Sequence, residues 1–339
     1  MNFDHIPSPD HPDLSVIVPY FNQPEQLDNA LGALGNQKEA HIEVIVVDDA
    51  SDRPCDAVID KFRRQGLNVA LIRQERRSYT LAARLRGMKA ARGRWLAFMD
   101  ADDELASHTA YADVIRHADA VPADILHYRV QAVERDGSVS HWPYAAPFYS
   151  GRLEGRDIFA VWLQNQCPAH SVWNKLYCRE LYQKVAGLDH NLLIYRIEDF
   201  YLTAHFLFFA RSYVSCDEIV YKYFLPGGTH LAKAAGRAFD AMRMYMNFPA
   251  RFQSFGLDCE LCEKLRSYIG ALVTLNGGRM SRLIPEDVWK WKPFELDFSS
   301  EGMRTILQYG SLRSLFLILA LTNASNVRKL RGLNHIING

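Results

Sequence analysis

The 339-residue chain has no surplus charge of either sign, since 39 Lys and Arg balance 39 Asp and Glu. No global field therefore draws it to nucleic acid or anionic lipid, and any such attraction has to be local. Long apolar runs are missing too. The longest, residues 315–321, is far below the roughly 20 residues that a membrane-spanning helix needs, and residues 1–13 hold no apolar core of signal-peptide length. These absences lead to the expectation of a cytoplasmic chain that neither crosses a membrane nor is exported. Cysteine is sparse: Cys55, Cys167, Cys178, Cys216, Cys259 and Cys262 are scattered and form no dense framework, which fits a reducing compartment. Cys259 and Cys262 make one CxxC, but no second CxxC or close Cys/His pair completes the four ligands of structural zinc. A basic, Gly-rich phosphate loop is also lacking after the first apolar run, where residues 20–26 read YFNQPEQ. That argues against a nucleotidyltransferase.

What is present is 48% hydrophobic and 23% charged, enough to bury a sizeable core. Residues 14–19 (LSVIVP) and 43–48 (EVIVVD) are short β-branched runs suited to strands buried on both faces. Between them Leu27, Leu31 and Leu34 recur at helical spacing. The unit repeats: Val58, Ile59 and Phe62 mark a second helix, residues 69–72 a third strand, 81–91 a third helix and 95–99 a fourth strand. Such alternation predicts an α/β fold with a mostly parallel central sheet flanked by helices. Residues 124–130 read as a further strand, 157–164 and 199–210 as helices, and 219–224 as a late strand. Beyond the break at Pro226, Gly227 and Gly228 the chain reads as mainly helical. The expected organisation is a tail at 1–13, an α/β domain at 14–232 and a mainly helical region at 233–339.

Ligands of such sheets gather beyond the carboxyl ends of the strands. The first strand runs into Pro19, Tyr20, Phe21 and Asn22, the second into Asp48 and Asp49, and the fourth into Asp100, Asp102 and Asp103. Three carboxylates directly after a buried strand suit a hard divalent ion bridging to substrate phosphates, Mg2+ or Mn2+. They equally suit an acidic turn that caps the next helix. Asp49 offers an acceptor to a base ring NH or, like Ser51, a cap. Glu198 and Asp199 precede the apolar stretch at Phe200, Tyr201 and Leu202, where they either oppose a helix dipole or act on a proton. Arg76, Arg77 and Arg84 suit phosphate or a negatively charged sugar, or a solvated helix face. Trp173 suits an acceptor sugar or the core.

Taken in order, VIVPYFN (16–22), VVDDAS (46–51) and FMDADD (98–103) resemble family 2 glycosyltransferases of the GT-A fold, in their bacterial surface-polysaccharide form. Ala83, Arg84, Gly87, Ala91, Gly93 and Trp95 resemble the family's ARNxGxxxAxGxY stretch. Asn174, Lys175, Leu176 and Tyr177 resemble its NKLY segment, and Glu198 with Asp199 its ED motif. The resemblance implies an inverting, metal-dependent transferase that moves a sugar from a nucleotide-sugar, commonly UDP-linked, to a glycan or lipid-linked acceptor. It implies that Pro19, Tyr20 and Phe21 line the base pocket, Asp49 holds the base, and Arg84, Asp100 and Asp103 serve the donor. Asp102 is then the metal ligand, with Mn2+ or Mg2+ as cofactor. Asp199 is the base, Glu198 orients the acceptor or serves as the alternative base, and Trp173, Asn174 and Lys175 meet the acceptor. His230 answers to a late histidine that reaches the metal or diphosphate in some members. The sequence departs from the pattern at Leu85, where Asn is usual, at Arg77 and Tyr79, in place of Asn and Gly, and at Lys222. A nucleotide-sugar-binding assembly or membrane-docking protein without turnover is the alternative. From Ser311 onward there is no acidic residue, and Arg313, Arg328, Lys329 and Arg331 surround the apolar run. That pattern fits peripheral membrane contact, a subunit interface or an ordinary buried helix.

Overall fold

The structure, a computed structural model, describes residues 11–101, 103–134, 136–139, 149–164, 170–190, 194, 197–224, 244 and 247–280. The chain divides into two compact units, Met1–His190 with Glu198–Gly227, and Asn191–Ile197 with Gly228–Gly339. The expected boundary near Ala232, His230 and the apolar run 315–321 lie outside the described residues.

The first unit opens with the anticipated alternation. Strands β1 (Leu14–Tyr20), β2 (Ile42–Asp48), β3 (Val69–Arg73) and β4 (Trp95–Phe98) are linked by helices α1 (Pro24–Gly35), α2 (Asp56–Arg64) and α3 (Tyr79–Ala90). They pair in parallel in the order β3-β2-β1-β4. Leu14, Val16, Ile17 and Val18 are wholly buried, and every residue of β2 is buried too, because helices cover both faces. Each aliphatic side chain among them contributes about 2 kcal/mol on burial. Leu27, Leu31 and Leu34 form the inner stripe of α1, and Pro24 starts that helix at a position where its missing N–H costs nothing.

Two motif glycines let α3 and the following turn lie directly on β1. A Cβ on Gly87 would stand 2.6 Å from Ile17 Cγ2, and one on Gly93 would stand 2.4 Å from the Ser15 backbone nitrogen. Ser15 and Glu43 are polar residues in the core of this sheet, and they satisfy each other. The Ser15 hydroxyl donates to Glu43 Oε1 at 2.5 Å and accepts from the Gly93 N–H at 2.7 Å, while the Arg92 backbone N–H and guanidinium donate to the same Glu43 carboxylate.

Past β4 the pattern becomes mixed. The elements are β5 (Glu104–Leu105), α4 (Ala110–Ala120), β6 (Ile125–Val133), β7 (Arg152–Glu154), α5 (Arg156–Leu163), β8 (Lys175–Cys178), α6 (Arg179–Ala186), α7 (Glu198–Phe209) and β9 (Ser212–Phe224). The sheet continues β4-β8-β6-β9-β5, with β7 on β9. β8 is antiparallel to both β4 and β6, whereas β9 runs parallel to β6. The NKLY segment is thus a central strand, and β9 extends well beyond the expected 219–224. In the second unit residues 247–254 and Cys259–Met280 are helical, with Phe248, Phe252, Leu261, Leu265 and Ile269 buried. No helix among the described residues is long and apolar enough to cross a membrane.

Candidate active site

Arg84 is the hinge of the site. It projects from α3 and is only 2% exposed. Its guanidinium donates through Nη1 to Asp199 Oδ1 and through Nη2 to Asp100 Oδ1, the latter at 2.9 Å. It also lies 5.7 Å over the Phe98 ring. One cation so joins the carboxyl end of β4 to the start of α7, segments about a hundred residues apart in the chain. α7 reaches this place because it is buried nearly all round: Phe200, Tyr201, Leu202, Ala204, Phe206 and Leu207 are buried, with Thr203 and His205 buried among them and hydrogen-bonded to backbone carbonyls. Its first turn, Glu198 and Asp199, is consequently drawn in with it, and α7 packs on α3, α5 and α6.

The electrostatics follow from that burial. Burial acts to lower the Arg84 guanidinium, but Asp199, Asp100 and Glu198 together hold it above its ordinary value. Burial raises Glu198 to about 7, with the Asp199 charge adding to the rise and Arg84 opposing it. Burial also raises Asp199, again against Arg84. The result is a pair of carboxyl groups whose proton affinity lies closer to neutral pH than in water, the condition for useful general-base action.

Asp103 is buried, and its Oδ2 accepts the Tyr221 hydroxyl proton at 2.9 Å; the Asp100 backbone N–H donates to that same hydroxyl at 3.1 Å. Tyr221 is therefore the residue that shapes the acidic turn, and nothing in the sequence beyond an aromatic late strand pointed to it. Asp102 lies outside the described residues.

At the end of β2, Asp49 is buried. Its Oδ1 accepts from Gln74 Nε2 at 2.8 Å and the Ser78 N–H at 2.6 Å, and its Oδ2 accepts from the Tyr79 N–H at 2.8 Å. Asp49 thus caps α3 from a distance and fixes the loop at residues 74–79. Tyr79 has φ 67, in the left-handed region where glycine is favoured. This is where the resemblance has glycine. The Arg77 guanidinium lies 4.0 Å from the Phe21 ring centroid and 5.0 Å from that of Tyr79, so Phe21, Arg77 and Tyr79 form one aromatic and cationic edge beside Asp49.

Several expected contacts are placed differently. Pro19 and Phe21 are half-buried, but Tyr20 points the other way and is buried, with its hydroxyl donating to the Arg53 carbonyl at 2.6 Å. Strand alternation is the reason. Trp173, Asn174 and Lys175 are buried and offer an acceptor no open surface. Trp173 stacks on Tyr221 at 4.9 Å and on Tyr223 at 5.2 Å. Asn174 Nδ2 meets His127 Nε2 at 2.8 Å, and Lys175 Nζ donates to the Ser171 carbonyl at 2.6 Å and to Asn174 Oδ1 at 2.7 Å. Arg84, read as a phosphate partner or a solvated residue, is instead buried between two carboxylates.

Comparison with known proteins bears on this arrangement. The sequence model described as "Glycosyl transferase family 2" matches residues 15–186. "Uncharacterized glycosyltransferase YibD" of Escherichia coli (strain K12) is 27% identical over 220 residues, 62% of this chain and 61% of that protein. The chain thus spans about three fifths of that relative's length. Among solved structures, S. aureus TarS 1-349 in complex with UDP-GlcNAc aligns with TM-score 0.53 at 18% identity, covering 93% of this chain and 82% of that one. Mannosyltransferase PcManGT from Pyrobaculum calidifontis, in complex with GDP-Man and Mn2+, aligns with TM-score 0.54 at 14% identity, covering 94% and 82%. At such identities the likeness speaks for the fold, a mostly parallel GT-A-like sheet flanked by helices.

Proposed function

This chain belongs to glycosyl transferase family 2, and from that membership we propose that it is an inverting, metal-dependent glycosyltransferase. It moves a sugar from a UDP-linked donor to a hydroxyl of a glycan or lipid-linked acceptor in the synthesis of a bacterial surface polysaccharide. The observation that carries this reading is the Arg84 bridge, which brings the ED-motif carboxylate Asp199 beside Asp100 of the acidic turn. A transferase needs those two groups near one another, one for the acceptor proton and one for the donor. The UDP-GlcNAc and the GDP-Man with Mn2+ held by the two fold neighbours support a nucleotide-sugar donor and a divalent cation.

The donor set fits a hard cation. Asp100 is 35% exposed and gives Oδ1 to Arg84, so a carboxylate edge remains at the mouth of the turn, and oxygen ligands of this kind suit Mn2+ or Mg2+. Asp102 is assigned as the principal ligand by its motif, with Asp103 beside it. Bound there, the ion supplies Lewis-acid stabilisation of the departing diphosphate. Asp199 takes the proton from the acceptor hydroxyl, and Glu198 stands next to it as the orienting carboxyl. Pro19, Phe21 and Asp49 line the base side, with Arg77 and Tyr79 closing its edge.

A panel of nucleotide-sugars, monitored by nucleotide release with added Mn2+, tests the reading. Turnover of at least one UDP-sugar is expected. Tight metal-dependent UDP binding with no hydrolysis and no transfer to any acceptor would instead favour a non-catalytic binding protein.

A further inference from the structure

A second cluster of ligating atoms stands apart from the acidic turn and the Arg84 bridge. The β6–β9 register jumps from His127 opposite Ser215 to Arg129 opposite Ile219, so Cys216, Asp217 and Glu218 share the space of Tyr128 alone. Irregularities of this kind re-aim side chains. Asp217 is turned to Arg129, whose Nε donates to its Oδ1 at 2.8 Å. Cys216 and Glu218 instead meet His117, in the last turn of α4, and one ligand atom from each of the three lies within 4.8 Å of the other two. His117 Nδ1 and Glu218 Oε1 are 3.7 Å apart. Metal–ligand bonds of about 2.0–2.3 Å at tetrahedral angles put neighbouring ligand atoms about 3.3–3.7 Å apart, so small side-chain rotations close the set.

The surroundings favour a cation. A cavity of about 520 Å³ lies against the cluster, lined by Ala110, Asp113, Arg116, His117, Glu218 and Ile219. It leaves room for a water as fourth ligand. The neighbouring guanidinium of Arg116 is paired with Glu39 and Asp113. One thiolate, one imidazole and one carboxylate form a borderline-soft set, matched to zinc and poorly matched to Mg2+ or Mn2+.

We propose that His117, Cys216 and Glu218 form a three-ligand site for a zinc-class divalent cation, separate from the acidic turn of β4. Ligation exchanges the Cys216 thiol proton, released to solvent, for the metal. The ion then ties the end of α4 to β9 at Cys216 and Glu218, five and three residues before Tyr221.

The test uses the full chain, stripped with a chelator and titrated with Co2+. The expected result is a thiolate-to-cobalt charge-transfer band in the near ultraviolet that saturates at one equivalent and is displaced by Zn2+ but not by excess Mn2+. Cobalt at an oxygen-only site gives no such band. Cys216→Ser should abolish it, and the double variant Cys259→Ser, Cys262→Ser should keep it. His117→Ala and Glu218→Gln, at half-exposed side chains that leave the core intact, should weaken Co2+ binding by more than the roughly tenfold that losing an outer-shell partner costs. Absence of the band, or a band that survives Cys216→Ser and disappears with the CxxC pair, overturns the proposal.

Discussion

Replacing Arg84 by Met fills the same buried slot with an apolar side chain and removes the guanidinium between Asp199 and Asp100. Removing one partner of a buried ion pair costs about 3–5 kcal/mol, because a charge is left without compensation. The Asp199 and Asp100 side chains are 29% and 35% exposed, so water reaches both, and the lower end, about 3 kcal/mol, is expected at pH 8. The loss should depend on pH with a definite sign. Arg84 now opposes the burial that raises Glu198 and Asp199; without it both rise further above their unfolded values of about 4.3 and 3.9. A carboxyl raised in this way binds more protons folded than unfolded. Its stabilising contribution is full below the unfolded pKa and is lost as pH climbs through the folded one. The deficit of Arg84→Met should therefore shrink from pH 8 towards about pH 5. Urea unfolding followed by tryptophan fluorescence at three pH values measures this, and Arg84→Lys, which restores the charge without the fork, should recover part of it. A difference under about 1 kcal/mol at pH 8, or one that does not diminish in acid, would refute the bridge as described.

Asp199→Asn should leave donor binding unchanged by calorimetry and lower transfer by about 10²–10⁴-fold; retained turnover would move the base elsewhere. The kcat/KM profile of the parent enzyme should fall on the acid side with an apparent pKa near 7, the value to which Glu198 is raised, and that constant belongs to the Glu198–Asp199 pair rather than to one residue. A flat profile from about pH 5.5 to 8.5 would contradict it. Gly93→Ala should destabilise by about 2–3 kcal/mol in thermal or urea melts, since its Cβ would meet the Ser15 backbone at 2.4 Å. Gly32→Ala, whose nearest neighbour would be Phe62 Cζ at 3.8 Å, should be neutral or stabilising by about 0.5–1 kcal/mol; similar losses at both glycines would sink the close-approach argument.

The sheet's first half was legible because β1 and β2 are buried on both faces and read as β-branched runs at Val16–Val18 and Val44–Val47, while β3 and β4 follow in the same alternation with helices. The second half was legible in part: residues 124–130, 157–164 and 199–210 anticipated β6, α5 and α7, whereas β8 and the first part of β9 were missed. β8 is four residues long and begins with Lys175, a charge at a wholly buried position; its Nζ is held by Ser171 and Asn174, partners that no periodicity reveals. The first part of β9 carries Ser212, Ser215, Asp217 and Glu218, and its irregular pairing hides the strand. α4 went unnoticed between the acidic turn and β6. In the site, strand ends and acidic pairs were visible one by one, whereas the Arg84 bridge depends on three elements meeting and had no local signal. Tyr79 is a different case. It occupies a left-handed backbone position at a cost of about 1–2 kcal/mol, offset by the Asp49 hydrogen bond to its N–H, so the departure from glycine was readable but its strain was not.

The burial of Trp173, Asn174 and Lys175 changes what their segment does for the site. Trp173 stacks on Tyr221, and its carbonyl accepts the Tyr128 hydroxyl at 2.5 Å, while Asn174 is fixed by His127, whose Nδ1 meets the Tyr213 hydroxyl at 2.6 Å. The first three contacts join β8 or its approach to β6 or β9, and the last ties β6 to β9. Tyr221 is where this chain of contacts ends at the acidic turn, because its one hydroxyl binds both the Asp100 backbone and the Asp103 carboxylate. A buried phenol held on its ring face and at its oxygen has little rotational freedom left, so it sets the path of the acidic turn more firmly than a surface cap would. The segment therefore acts on the carboxylates of the acidic turn from behind, through stacking and hydrogen bonds, and its aromatic and amide residues are needed for that geometry.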